Sequence, residues 1–296
     1  MIYLRSFRLP SPAEDEAAFY PGSPILAKTK ETCRNSVYPF VLFRERGLPD
    51  PFVFRDITIL CGGNGSGKST VLNLIAEKLR LGRAAPYNRS DLFDDYVSMC
   101  AYERAQFIPA QSEILTSDDV FDRVLDLRRV NEGIDDTRAA LMREWNESRY
   151  AAQDTRLHGL EDYDRWKEVM ATKKKRGTRS RYVNDRLAPN VRERSNGESA
   201  FRLFVSQIKD DALYLLDEPE NSLSPARQLD LKYFLEDCVR SHGCQFVIST
   251  HSPFLLSLKG ARIYDLDQTP VRVSKWTELE CVKAYRELFG AHESDA

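Results

Sequence analysis

Ile57-Thr58-Ile59-Leu60-Cys61-Gly62-Gly63-Asn64-Gly65-Ser66-Gly67-Lys68-Ser69-Thr70 is the stretch on which the fold turns. Its first four residues form a short β-rich run of the kind that makes a buried strand. Gly62 to Ser69 fits G-x-x-x-x-G-K-[ST]. Val71, Leu72, Ile75 and Leu79 then recur at helical spacing, so a helix follows, with Gly82 as its expected stop. Strand, glycine-rich loop and helix in that order read as a phosphate-binding loop. The glycines let backbone N–H groups converge on phosphate oxygens, and the helix start adds the positive end of its dipole. Lys68 can reach the β- and γ-phosphates as a point charge. The Ser69 hydroxyl is placed to bind Mg²⁺.

A second stretch supplies the complementary half. Leu213-Tyr214-Leu215-Leu216-Asp217-Glu218 is an apolar strand ending in two carboxylates. Asp217 can hold the shell of a Mg²⁺ ion, and Glu218 can orient and deprotonate an attacking water. Neighbouring residues point to opposite sides of a strand, which gives the two carboxylates separate tasks.

Around these stretches the chain alternates strands with helices. Phe52-Val53-Phe54 and the strand-rich start precede the loop, and Glu113–Thr116 is a further strand. From about 122 to 190 the texture turns polar and helical, with Asp122–Arg129, Asp135–Tyr150 and Leu160–Ala171 as segments. Pairs such as Arg143/Glu147 and Glu161/Arg165 support them. Ala200, Phe201, Phe204, Val205 and Ile208 form one helical stripe. Ser224-Pro225 reads as an N-cap and first helical position. Gln245–Thr250 is another strand, and Trp276 to Phe289 a closing helix with Leu279, Val282 and Phe289 as buried positions. The fold class is therefore α/β: a mainly parallel sheet flanked by helices. The expectation is one domain over 1–296, with 122–192 as a helical insertion.

Composition narrows the function classes. The 296 residues carry 43 basic and 45 acidic side chains, so neither a generally basic nucleic-acid coat nor an acidic tail protein is at hand. Apolar residues at 42% allow a sizeable core. No apolar run approaches the ~18 residues of a membrane helix, and Met1–Arg8 lacks the apolar segment of a secretory signal. The cysteines at 33, 61, 100, 238, 244 and 281 form no C-x-x-C pair and have no histidine at zinc-ligand spacing. Idle thiols in a reducing cytoplasm are the expectation.

The order of motifs resembles the ATP-binding cassette (ABC) class of P-loop ATPases over most of residues 50–270. The likeness is strongest to the soluble branch with SMC-like, recombination-repair and OLD-type ATPases, and to small stand-alone bacterial ATPases. Ser195-Asn196-Gly197-Glu198-Ser199 stands where the family has its signature loop. It keeps Ser195 and Gly197 of the usual L-S-G-G-Q, while Arg194, Asn196 and Glu198 depart from it. Ser195-x-x-Glu198 is also a capping-box spacing, which would present a helix start as an anion site. In the family that site meets the γ-phosphate held by a second subunit. Pro219-Glu220-Asn221-Ser222-Leu223-Ser224-Pro225 occupies the D-loop position, and Ser224, where transporter cassettes carry Asp, is closer to the soluble branch. His251 matches the switch histidine that contacts the γ-phosphate. The expected glutamine after the 113–116 strand is missing. Ser117 or Asp118 takes the metal-side role, or Gln111 does if the strand ends elsewhere. Tyr38 is either a core residue or the adenine-stacking ring.

The resemblance implies an ATP- and Mg²⁺-dependent homodimer in which Gly62–Thr70 of one chain and Ser195, Gly197 and Glu198 of the other sandwich the nucleotide. Hydrolysis, with Glu218, His251 and Lys68 as catalytic groups, would loosen it. Two rivals stand beside this reading: the energy-coupling subunit of a transporter, and a nucleotide-gated adaptor in DNA repair or phage defence. Lys173, Lys174, Lys175 and Arg176 open a run of bases without an acid, which would suit a nucleic-acid backbone or an acidic protein.

Overall fold

Ile57–Cys61 is buried along its whole length, as a strand covered on both faces must be. It lies inside a six-stranded sheet. The computed structural model describes residues 1–31, 37–151, 196–221 and 223–292, together with Lys167, Val183 and Leu187. They fall into two compact units, Met1–Phe121 with Asn196–Ala296, and Asp122–Ser195. The strands are β1 (Leu4–Arg8), β2 (Phe52–Val53), β3 (Ile57–Cys61), β4 (Ala101–Arg104), β5 (Glu113–Thr116), β6 (Leu213–Asp217), β7 (Gln245–Ser249), β8 (Arg262–Asp265) and β9 (Arg272–Ser274). The helices are α1 (Pro12–Ala17), α2 (Pro24–Glu31), α3 (Lys68–Leu79), α4 (Phe93–Met99), α5 (Ser117–Ala151), α6 (Asn196–Gln207), α7 (Pro225–Ser241), α8 (Pro253–Leu256) and α9 (Glu280–His292).

The large sheet runs β5-β6-β7-β3-β8-β9. It is parallel except for the β8–β9 pair. This is the α/β P-loop arrangement. A second, antiparallel sheet, β2-β1-β4, stands beside it. Strand alternation splits the core in two. Leu60, Leu213, Leu215 and Val247 join α3 and the small sheet in one cluster. Ile59, Tyr214, Leu216, Phe246 and Ile248 face Leu231 and Leu235 of α7 in the other.

Several expectations need correction. The α3 helix ends at Leu79, not Gly82. Arg80 adopts a left-handed conformation, and the Leu81 N–H closes on Ala76 O at 2.9 Å. Gly82 instead bridges to Glu113. The two helices expected over 122–150 are one 35-residue α5, because Gly133 weakens a helix by only about 1 kcal/mol and does not break it. The closing helix is divided: Trp276–Glu278 is a 3-10 turn, Leu279 is extended, and α9 follows. Leu279 is buried, but Phe289 is 64% exposed. The expected cap at Ser224 is present: its side chain accepts from Arg227 N–H with Pro225 in the first turn. The segment 160–171 and Lys173, Lys174, Lys175 and Arg176 lie outside the described residues.

Candidate functional site

In a parallel sheet the loops at the carboxyl ends of neighbouring strands converge. Here β3, β6 and β7 deliver Gly62–Ser69, Asp217-Glu218 and His251 to one edge. Gly67 enters α3 with φ of 94°, and a Cβ there would stand 2.5 Å from Phe43 Cε1, so only glycine fits. Lys68 is 4% exposed. Its Nζ donates to Gly62 O at 2.7 Å and Gly63 O at 3.1 Å and lies 3.7 Å from Glu218 Oε1. Two residues outside the motif brace the loop. The Arg46 guanidinium donates to Ser66 O at 2.7 Å and Gly65 O at 3.0 Å. The Asp267 carboxylate accepts the Gly63 N–H at 3.0 and 2.9 Å.

Ser69 Oγ donates to Asp217 Oδ1 at 3.0 Å. Burial pushes the Asp217 carboxyl above the usual range, partly offset by that hydroxyl. Glu218 diverges from Asp217 by a different route than strand alternation. β6 ends at Asp217, and Glu218 turns into a left-handed conformation, φ 47°, with its N–H held by Ser249 O at 2.9 Å. A non-glycine residue in that region is locally strained. The turn directs its carboxylate towards Lys68 and to 3.9 Å from His251 Nδ1.

Register places the candidates for the missing glutamine along the sheet. Thr116 pairs with Asp217, so Ser117 follows at the site edge. Its Oγ accepts from Asn221 Nδ2 at 3.4 Å, and the same amide donates to Glu218 Oε2 at 3.1 Å. Gln111 precedes β5 and donates to the Asp210 and Asp211 carbonyls, ahead of the start of β6. Asp118 is exposed, while the neighbouring Asp119 is consumed locally, accepting from Thr116 and from Ala85. Tyr38 stacks on Phe93 at 6.0 Å and donates to Thr70 Oγ1 at 3.0 Å. It also lines a cleft of about 430 Å³ with Leu42, Gly65–Thr70 and Glu218.

The donor set suits Mg²⁺ and a triphosphate. A hydroxyl and a carboxylate in contact are hard oxygen ligands, a buried ammonium faces the loop, and a Cβ at Gly65 would meet nothing within 4 Å, leaving the loop's outer side clear. Gly197 and Glu198 lie in the first turn of α6, while Ser195 is outside the described residues. Sequence reasoning missed Arg46, Asp267 and the individual roles of Glu220 and Asn221. Only the acidic and amide residues of the D-loop stretch gave a signal.

Residues 133–257 match the family model described as AAA domain, putative AbiEii toxin, Type IV TA system. The match takes in Asp217, Glu218 and His251 but not the phosphate loop. No curated protein matches the chain. Among solved structures it is similar to an Smc head domain with an extended coiled coil bound to the C-terminal domain of ScpA, derived from Pyrococcus furiosus. That similarity has 14% identity and a TM-score of 0.42, over 99% of this chain and 100% of that one. The SMC head domain from Thermotoga maritima is similar at 13% identity and a TM-score of 0.39, over 93% and 99%. An ATP-binding cassette in a dimeric post-hydrolysis state bound to ADP and Pi is similar at 15% identity and a TM-score of 0.35, over 79% and 92%.

Proposed function

We propose that this protein is a Mg²⁺-dependent ATPase of ABC type that works as an ATP-gated homodimeric switch. The observation that carries this reading is the meeting of Lys68, Ser69, Asp217, Glu218 and His251 at one sheet edge. Lys68 and the loop amides hold the phosphates, while Ser69 and Asp217 would hold the ion. Bound Mg²⁺ supplies charge neutralisation on the phosphate oxygens. Glu218 takes a proton from the water that attacks the γ-phosphorus, and ADP leaves with its bond to that phosphorus broken. Asn221 orients the Glu218 carboxylate, and His251 faces the same centre.

In the dimer, the signature stretch that holds Ser195, Gly197 and Glu198 in one copy closes over the nucleotide of the other. Association would then follow the state of the γ-phosphate. The exposure of the His251 side chain, 49%, and of Asn221 leaves this edge accessible to such a partner. Among the described residues no helix is long and apolar enough to cross a membrane. The free thiols Cys61, Cys100, Cys238, Cys244 and Cys281 suit a reducing cytoplasm.

Phosphate release from Mg·ATP tests the reading. The wild-type chain should turn over, and Glu218→Gln should lower kcat by about 10²–10⁴-fold, the usual worth of a general base, while still binding ATP. Equal turnover in both proteins would remove Glu218 from the mechanism.

A further inference from the structure

Residues 250–252 carry the chain out of β7, and one side chain from the turn after β6 accepts from all three. Glu220 Oε1 accepts Thr250 Oγ1–H at 2.6 Å, the His251 N–H at 3.0 Å and the Ser252 N–H at 3.2 Å. The residue is 5% exposed, and its second oxygen, Oε2, is buried without a hydrogen-bond partner. A buried carboxylate with an idle oxygen is costly to keep. Packing alone would be met better by an apolar residue of similar volume. What the carboxylate adds is one acceptor shared by three donors on consecutive residues.

The contacts extend on both sides. Thr250 Oγ1 also accepts the Ser252 N–H at 3.0 Å. Ser252 Oγ donates to Gln228 Oε1 at 2.7 Å, and Gln228 Nε2 donates to Leu223 O at 3.0 Å. The histidine segment is thus tied at two points to the turn after β6 and the start of α7. The same turn fixes the other reacting group, because Asn221 Nδ2 donates to Glu218 Oε2 at 3.1 Å. His251 Nδ1 stands 3.7 Å from Glu220 Oε1 and 3.9 Å from Glu218 Oε1.

We infer that Glu220 is a positioning residue: its carboxylate clamps the backbone at 250–252 so that His251 and Glu218 share one mount and move together. The inference rests on the ATPase reading above. The turn at 218–221 would carry the base through Asn221 and the histidine through Glu220. Displacing the turn would therefore displace both groups at once and couple hydrolysis to whatever contacts the turn.

The experiment is a mutant cycle. Glu220→Ala should lower kcat by about 10- to 100-fold, the usual cost of a small misplacement of a reacting group, with KM for ATP changed little. Glu220→Gln keeps one acceptor oxygen and should recover most of the rate. If Glu220 acts through His251, adding Glu220→Ala to His251→Ala should cost nothing further. Hydrogen exchange supplies a reading that needs no turnover: the His251 and Ser252 amides should exchange faster in Glu220→Ala than in wild type, and near wild type in Glu220→Gln. Unchanged exchange, an unchanged kcat, or a full additional loss in the His251→Ala background would overturn the inference. A wild-type chain that binds ATP without releasing phosphate would defeat the ATPase reading instead, and the amide rates would still judge the clamp.

Discussion

The Ser69 hydroxyl donates to Asp217 across 3.0 Å, joining two residues 148 positions apart. The contact unites the residue after the loop lysine with the end of β6. Removing the hydroxyl leaves a half-buried carboxylate short of one donor. Ser69→Ala should weaken Mg·ATP binding by about ten- to a hundredfold, as expected for a hydrogen bond to a charged group, and affect binding in EDTA much less. Titration of a fluorescent ATP analogue with and without Mg²⁺ checks it. Equal losses in both conditions would disconnect Ser69 from the ion.

Gly67 carries a stability prediction. Its φ of 94° and the 2.5 Å that would separate an added Cβ from Phe43 Cε1 act in the same direction. Gly67→Ala should cost ~1–3 kcal/mol from backbone strain alone, with overpacking against Phe43 added. Urea unfolding would show a lower midpoint, and an unchanged midpoint would contradict the geometry.

Cys281 is the most reactive of the described thiols by environment. A hydrogen bond from the Cys61 thiol lowers its pKa to about 7, against the opposing effect of burial. Cys61, Cys100, Cys238 and Cys244 are buried. The thiolate of Cys281 should therefore accumulate as pH rises through about 7, below the ~8.5 of an unperturbed thiol. Peptide-resolved iodoacetamide labelling from about pH 6 to about pH 9 should show Cys281 reacting first, with its midpoint at about 7. A midpoint at the ordinary thiol value would sink this prediction.

The loop, α3, β5, β6 and β7 were legible in the sequence because each combines a local period with a nearby breaker or charged end. Glu113–Thr116 appears with the expected bounds. β4 was not legible. Ala101–Arg104 is exposed throughout and owes its strand to pairing with β1, such as Ser6 against Glu103. Phe289 follows helical spacing, yet α9 leaves it in solvent. Of the residues that brace the site, Arg46 and Asp267 stand in no motif, and the D-loop stretch that holds Glu220 does not announce its contact with 250–252. Their partners become neighbours only after β6, β7, β3 and β8 assemble side by side. Asp217 and Glu218 were legible as a pair, but their divergence depends on a backbone turn that no side-chain pattern announces.

The central claim, that ATP joins two copies until it is hydrolysed, is tested most directly by light scattering of Glu218→Gln. With Mg·ATP this variant should double in mass, and without nucleotide or with ADP it should return to the monomer. A variant that binds ATP and keeps the monomer mass at every protein concentration would contradict the account.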